Sequence, residues 1–124
     1  MVAFRGVGDD FKAGGITLAL APGAIADVLR RPLARPGWDL YLTSFSLRST
    51  AAAGPVIPCL LRHNGRDLID FPVIGSLAGG EIPLPFIRLE AVGEIVVTVT
   101  NPAGGASDFT AGLRGRYVFG RGVR

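Results

Sequence analysis

Two apolar runs, Val56 to His63 and Arg66 to Ile74, meet at the dipeptide Asn64-Gly65. Both residues tolerate the positive φ angles of a type I′ turn, whose twist matches that of two paired antiparallel strands. The pattern predicts a β-hairpin and commits the middle of the chain to antiparallel pairing. Pro58 and Pro72 each remove a backbone donor from these runs, so the strands are expected to carry edge or bulged portions.

The rest of the chain has the same character. Ile16, Leu18 and Leu20 alternate with Thr17 and Ala19 until Ala21-Pro22-Gly23 interrupts them, which is the period of a strand and its end. In Ala24 to Arg31, Ile25, Val28 and Leu29 fall at i, i+3 and i+4, so a helix of about two turns stopped by Pro32 is expected there, with a further strand or an irregular crossing as the alternative. Trp38 to Arg48 reads as a central strand covered on both sides: Asp39, Tyr41, Thr43, Phe45 and Leu47 share one face, and Trp38, Leu40, Leu42, Ser44 and Ser46 the other. Ser49 to Gly54 and Gly75 to Gly80 are turns by composition, and Ile82 to Leu89 is a strand interrupted by Pro83 and Pro85. Gly93 separates it from Glu94 to Thr100, where β-branched residues dominate. Asn101 to Ser107 reads as an exposed loop, and Phe109 to Phe119 as the last strand. About seven or eight strands spaced by turns at intervals of roughly ten residues make an all-β antiparallel sandwich with at most one short helix. Residues 1–15 read as a flexible or extended arm, 16–119 as one sandwich domain and 120–124 as a basic tail.

Composition adds a tension. Of the 124 residues 48% are hydrophobic and mean hydropathy is +0.40, more apolar surface than a domain of this size is expected to hide alone. Some of it is expected to meet another protein. Twelve of the 13 basic residues are Arg, with Lys12 the exception. Arg suits interfaces because its planar guanidinium holds carboxylates in bidentate fashion, although a high-GC genome would give the same bias. Cys59 is alone, so no intrachain disulfide forms and the residue reads as a small buried hydrophobe. Residues 1–10 carry Arg5, Asp9 and Asp10 and lack the apolar core of a signal peptide, and no run is long enough to span a membrane. The expectation is a protein made and used without secretion.

No catalytic or metal-binding signature emerges, and no cofactor is expected. His63 flanks the turn and has no serine in a nucleophile elbow to serve, so it reads as an exposed turn residue. Glu81, Glu90 and Glu94 lack the aromatic surface that sugar chemistry needs beside paired carboxylates. Gly104, Gly105, Gly112, Gly115 and Gly120 fit neither phosphate-loop pattern and read as bulges and turns. Arg114, Arg116, Arg121 and Arg124 form a basic cluster. It reads as salt bridges to a partner protein in preference to a nucleic-acid surface, because few aromatics interleave with it. Trp38 reads as a core anchor.

With Phe86-Ile-Arg-Leu-Glu-Ala-Val-Gly-Glu-Ile-Val-Val-Thr-Val-Thr-Asn-Pro102 and the closing strand Leu113-Arg-Gly-Arg-Tyr-Val-Phe119, residues 15–119 resemble the small accessory virion proteins of tailed bacteriophages, among them jelly-roll cement or decoration proteins. The resemblance implies a non-enzymatic jelly-roll subunit on a capsid surface that forms a dimer or trimer and binds a major capsid protein. A receptor- or glycan-binding module of a tail or spike, with aromatics near Trp38 or Tyr41, is the alternative; an enzyme is a third reading with less support. The Pro-broken strands place the expected partner contact at Val56, Ile57, Pro58, Ile82, Pro83, Leu84, Pro85 and Phe86, joined by Arg114 and Arg116.

Overall fold

The structure, a computed structural model, describes residues 9–50, 56–74, 81–102 and 104–119. The expectations for the first eight residues, for the turn at 75–80, for most of the loop after Ser49 and for the basic tail lie outside them. The described residues form six strands: β1 (Asp9–Leu20), β2 (Ile25–Ser49), β3 (Val56–His63), β4 (Arg66–Ile74), β5 (Glu81–Thr100) and β6 (Ser107–Val118). All neighbouring pairs are antiparallel, in the order β1-β6-β2-β5-β3-β4.

Two long strands turn this single ladder into a sandwich. The β2–β5 register skips from Ala34 opposite Val92 to Asp39 opposite Glu90. Four residues of β2 thus stand against one of β5, and each strand has a positive-φ glycine at this corner, Gly37 at 87° and Gly93 at 81°. Bulges and positive-φ glycines are how strands pass from one sheet to another. Before the corner, residues 25–34 pair with 92–100, and β5 continues onto β3 and β4. After it, residues 39–46 pair with 81–90 on one side, and β6 joins on the other with β1 beyond it. With β2 and β5 each counted twice, eight segments form two four-stranded sheets, the arrangement of a jelly roll.

One core lies between the sheets. Phe11, Phe45 and Phe109 are fully buried with Leu29, Leu40, Leu42, Leu47, Ile57, Leu61, Ile95 and Leu113. Burying a side chain of this size stabilises a fold by about 1.5–3 kcal/mol. Glycine brings the sheets together at one edge: a Cβ on Gly15 would stand 2.0 Å from the Val28 carbonyl oxygen.

The structure revises several sequence expectations. Residues 9–15 are not an arm; they are paired along β6, with Phe11 in the core. Residues 25–31 are strand, not helix. A bulge between Asp27 and Leu29 sends both Val28 and Leu29 inward, and so imitates helical spacing. A second shift between Leu42 and Ser44 lets Leu40, Leu42, Phe45 and Leu47 all face the core, while Thr43 is exposed. The face assignment by strict alternation fails there, and the central strand is covered on one side only. Asn101 and Ser107, placed in an exposed loop by composition, are buried. The Asn101 Nδ2 amide donates to the Leu20 and Gly105 carbonyls at 2.8 and 3.0 Å.

The hairpin forms as expected, with Asn64 and Gly65 at φ 55° and 78° and His63 opposite Arg66. Pro58 faces Pro72 between β3 and β4, and the β3–β5 ladder starts only at Cys59, so neither proline interrupts a three-stranded stretch.

Candidate functional site

The outward face of the sheet β1-β6-β2-β5 carries a set of charged groups arranged by register. Phe11 and Ala13 turn toward the core, so Asp10 and Lys12 point out. Phe109, Ala111, Leu113 and Tyr117 do the same for β6 and leave Arg114 and Arg116 exposed. Pairing aligns these residues in rows. Asp10, Arg116, Tyr41 and Arg88 lie side by side across four strands, and Lys12, Arg114, Ser44 and Pro83 form the next row. The Thr43 hydroxyl donates to the Arg114 carbonyl at 3.2 Å.

A hollow of about 550 Å³ opens on this face, bordered by Lys12, Tyr41, Thr43, Arg114 and Arg116. A second, of about 650 Å³, lies on the other side of β1, bordered by Lys12, Arg31, Arg35 and Tyr117. Asp10, Phe11 and Lys12 border both, so the first half of β1 is a ridge between two basic hollows. In the second, the guanidinium carbon of Arg31 stands 5.6 Å from the Phe11 ring centre. That of Arg35 stands 4.2 Å from Tyr117 and 5.2 Å from Trp38. The rings support one another, Phe11 against Tyr117 at 5.6 Å edge to face and Trp38 against Phe119 at 5.3 Å. Cation–π contacts of this kind fix the plane of a guanidinium. Half-buried Trp38 packs against the core, as expected of an anchor, and is engaged by Arg35 and Phe119.

The expected contact residues are distributed unevenly. Ile57 is fully buried and belongs to the core. Ile82 and Leu84 are half-buried against that core, whereas Pro58 and Pro83 are exposed. The side chains of Val56, Pro85 and Phe86 lie outside those described. Register brings Pro83 into one row with Arg114, but Pro58 sits on the other sheet. Sequence reasoning missed Lys12, Arg31 and Arg35, because residues 9–15 of β1 were read as part of an arm and Ala24 to Arg31 as a helix, while Arg35 fell between the assigned elements. The alternation of Phe11 with Ala13 was the available signal.

His63 and Glu94 have structural partners. His63 is half-buried, with Nε2 2.9 Å from the Val92 carbonyl oxygen, not exposed as expected. Glu94 receives Arg30, which also binds Asp27, each at 2.5 Å. These carboxylates raise the Arg30 pKa, the hydrogen bond that Arg30 donates to Asp27 most of all. Burial alone pushes the Cys59 thiol up to about 12. Among the described residues, no group of three His, Cys, Asp or Glu side chains is placed to hold a metal, and no helix is long and apolar enough to cross a membrane.

No protein-family model matches the sequence, and no curated protein matches it. Solved structures do match. PRD1 vertex protein P5 superposes with a TM-score of 0.61 at 15% identity, covering 91% of this chain and 99% of that one. The C-terminal domain of EclA, a sugar-binding protein, gives 0.53 at 14% identity over 79% and 72%. A chain of the cyanophage Pam1 capsid asymmetric unit gives 0.52 at 14% over 90% and 86%. At these identities the likeness is one of fold: this chain has the jelly-roll architecture found in viral vertex and capsid proteins and in a sugar-binding domain.

Proposed function

We propose that this chain is a non-enzymatic structural subunit of a virion. In this reading it is a jelly-roll cement or decoration protein that forms a dimer or trimer and binds a major capsid protein at the capsid surface. The observation that carries the reading is the end-to-end overlap with the PRD1 vertex protein, which leaves little of either chain outside the shared fold. The paired rows on the first sheet support it as well, because they set Arg114 in one row with Pro83, and Arg116 in the next, on an outward face. Ile16, Leu18 and Ile25, 60%, 66% and 68% exposed, supply apolar area for further contact. A subunit that clamps neighbouring capsomers binds the assembled state and, by mass action, stabilises it against heat and internal pressure. Particles lacking the protein should disrupt at a lower temperature than particles to which it has been restored. Equal disruption temperatures and equal osmotic resistance would remove the role.

One observation favours a second reading, a glycan-binding module. Tyr41 borders the first hollow, and the fold is shared with a sugar-binding domain. A glycan array on the purified protein separates the two: a signal abolished by Tyr41→Ala would support the module.

A further inference from the structure

Among the described residues, the two hollows beside β1 are bordered by Lys12, Arg31, Arg35, Arg114 and Arg116, with the carboxylate of Asp10 between them. The chain as a whole is far closer to balance, with 13 basic and 10 acidic residues. Elsewhere on the surface, Arg30 is held by Asp27 and Glu94, and Arg62 by Asp67. Among the described residues that border the two hollows, basic side chains therefore outnumber acidic ones.

The stacking of the arginines narrows what they would bind. Arg31 lies over Phe11, and Arg35 over Tyr117 and beside Trp38. A guanidinium whose face rests on a ring directs its in-plane N–H groups sideways, in the fork that matches a carboxylate. Its side-chain entropy is largely lost before any ligand arrives, which favours affinity. The ring faces are less suited to nucleobases, because Phe11 and Tyr117 are buried, 2% and 7% exposed, and covered by these cations. Single-stranded nucleic acid needs open aromatic faces on which to stack. The spacing also suits an extended polypeptide. Arg114 and Arg116 are two residues apart on β6, about 6.6 Å at the rise of a strand, which is the repeat of same-side residues in an extended chain.

We propose that the β1 ridge and its two hollows are a docking site for an acidic, extended polypeptide segment of the partner. Its carboxylates are received by Arg31 and Arg35 on one side of the ridge and by Arg114, Arg116 and Lys12 on the other. The inference rests on the structural-subunit reading only in taking the partner to be a protein. Particle stability tests that reading, and direct binding tests this one.

The experiment measures fluorescence anisotropy of a labelled oligoglutamate peptide titrated with the full chain. An oligothymidylate of equal charge is run in parallel, each at low and at raised salt. The peptide is expected to bind the more tightly and to weaken with salt. Arg35→Gln and Arg116→Gln should each reduce its affinity about fivefold to tenfold, the effect of losing one charge-assisted pair. Arg35→Lys should lose most of this too, because the charge stays and the planar fork goes. Asp10→Asn should raise affinity, and Arg62→Gln on the opposite sheet should leave it unchanged. Melting curves identify any variant that fails to fold, and the gain from Asp10→Asn is a readout that misfolding does not produce. No peptide binding at low salt, tighter binding of the oligothymidylate, or an equal loss with Arg62→Gln would each overturn the proposal.

Discussion

Asn64 and Glu94 exchange two hydrogen bonds. The Asn64 backbone N–H donates to the Glu94 carbonyl at 3.0 Å, and the Glu94 backbone N–H donates to Asn64 Oδ1 at 2.9 Å. The side-chain oxygen takes the place of a strand carbonyl, so the β3–β5 ladder runs one step past His63, its last backbone pair. The same residue holds the positive φ of the hairpin turn at 55°. Asparagine serves both ends, since it tolerates the left-handed region and carries the acceptor.

These two roles separate by substitution. Asn64→Gly keeps the turn and loses the acceptor, and should cost about 1 kcal/mol, the net value of one such bond. Asn64→Ala also pays the positive-φ penalty and should cost about 2–3 kcal/mol. Asn64→Asp keeps the acceptor and should lie closest to the parent. Urea denaturation of the four proteins gives the order; an Asn64→Gly variant as stable as the parent would show that the Oδ1 bond adds nothing.

Gly15 and Gly14 are neighbours with opposite constraints. A Cβ on Gly15 would meet the Val28 carbonyl oxygen at 2.0 Å and the Leu29 Cα at 2.9 Å, backbone atoms of the facing sheet. A Cβ on Gly14 would meet the Ala111 carbonyl oxygen at 3.6 Å, an ordinary contact. Gly15→Ala should therefore prise β1 from β2 and cost about 3 kcal/mol, at the upper end of overpacking. Gly14→Ala should be neutral or stabilise by about 0.5 kcal/mol through the unfolded chain. Thermal melts of the two variants test the contrast, and a Gly15→Ala protein that melts with the parent would place β1 elsewhere.

How far the sequence discloses this fold depends on what each signal encodes. Asn64-Gly65 encodes a backbone conformation directly, and the hairpin could be placed to the residue. The sandwich class was legible from turn spacing, because each strand end carries its own chemistry. The bulges were not: Val28 beside Leu29, and Phe45 after Leu42, break period 2 because a neighbouring strand pulls the register. Nothing within the segment itself marks that shift. The basic ridge was half legible. Arg114 and Arg116 stood out as a pair on one strand, whereas Lys12, Arg31 and Arg35 join them only through sheet pairing and the approach of β1 to β2.

Cys59 should make stability fall in alkali. Its thiol is buried, and burial raises its pKa from 9.0 to about 12. Well below pH 9 the thiol is protonated in both states and titration contributes no difference. Between pH 9 and 12 the unfolded chain releases a proton that the folded chain retains, so unfolding is favoured by up to about 1.4 kcal/mol per pH unit. Cys59→Ala loses packing but also this slope. The difference in stability between parent and variant should therefore shrink as pH rises through that window, measured by urea denaturation. A constant difference would mean that the thiol ionises without unfolding. At neutral pH the parent should resist alkylation by iodoacetamide until denatured.

Asp39 and Arg88 form an ion pair unlike the others. The Asp39 side chain is only 3% exposed, and both Arg88 Nη2 and Nε reach its Oδ2, at 2.7 and 2.9 Å. Asp39 also stands where β2 resumes pairing with β5 after the corner, opposite Glu90 and Val118. Removing the cation leaves a buried carboxylate with weakened compensation, so Arg88→Met should cost about 2–3 kcal/mol, somewhat less than a fully enclosed pair. Arg30→Met, on the exposed Asp27 and Glu94 pairs, should leave the melting temperature nearly unchanged, because solvent screens those charges. The double variant Arg88→Met with Asp39→Asn should recover part of the loss, since the charge left behind is then gone. If the double variant is no more stable than Arg88→Met alone, the cost of the single change comes from lost packing of the Arg88 stem over the corner and not from an uncompensated charge.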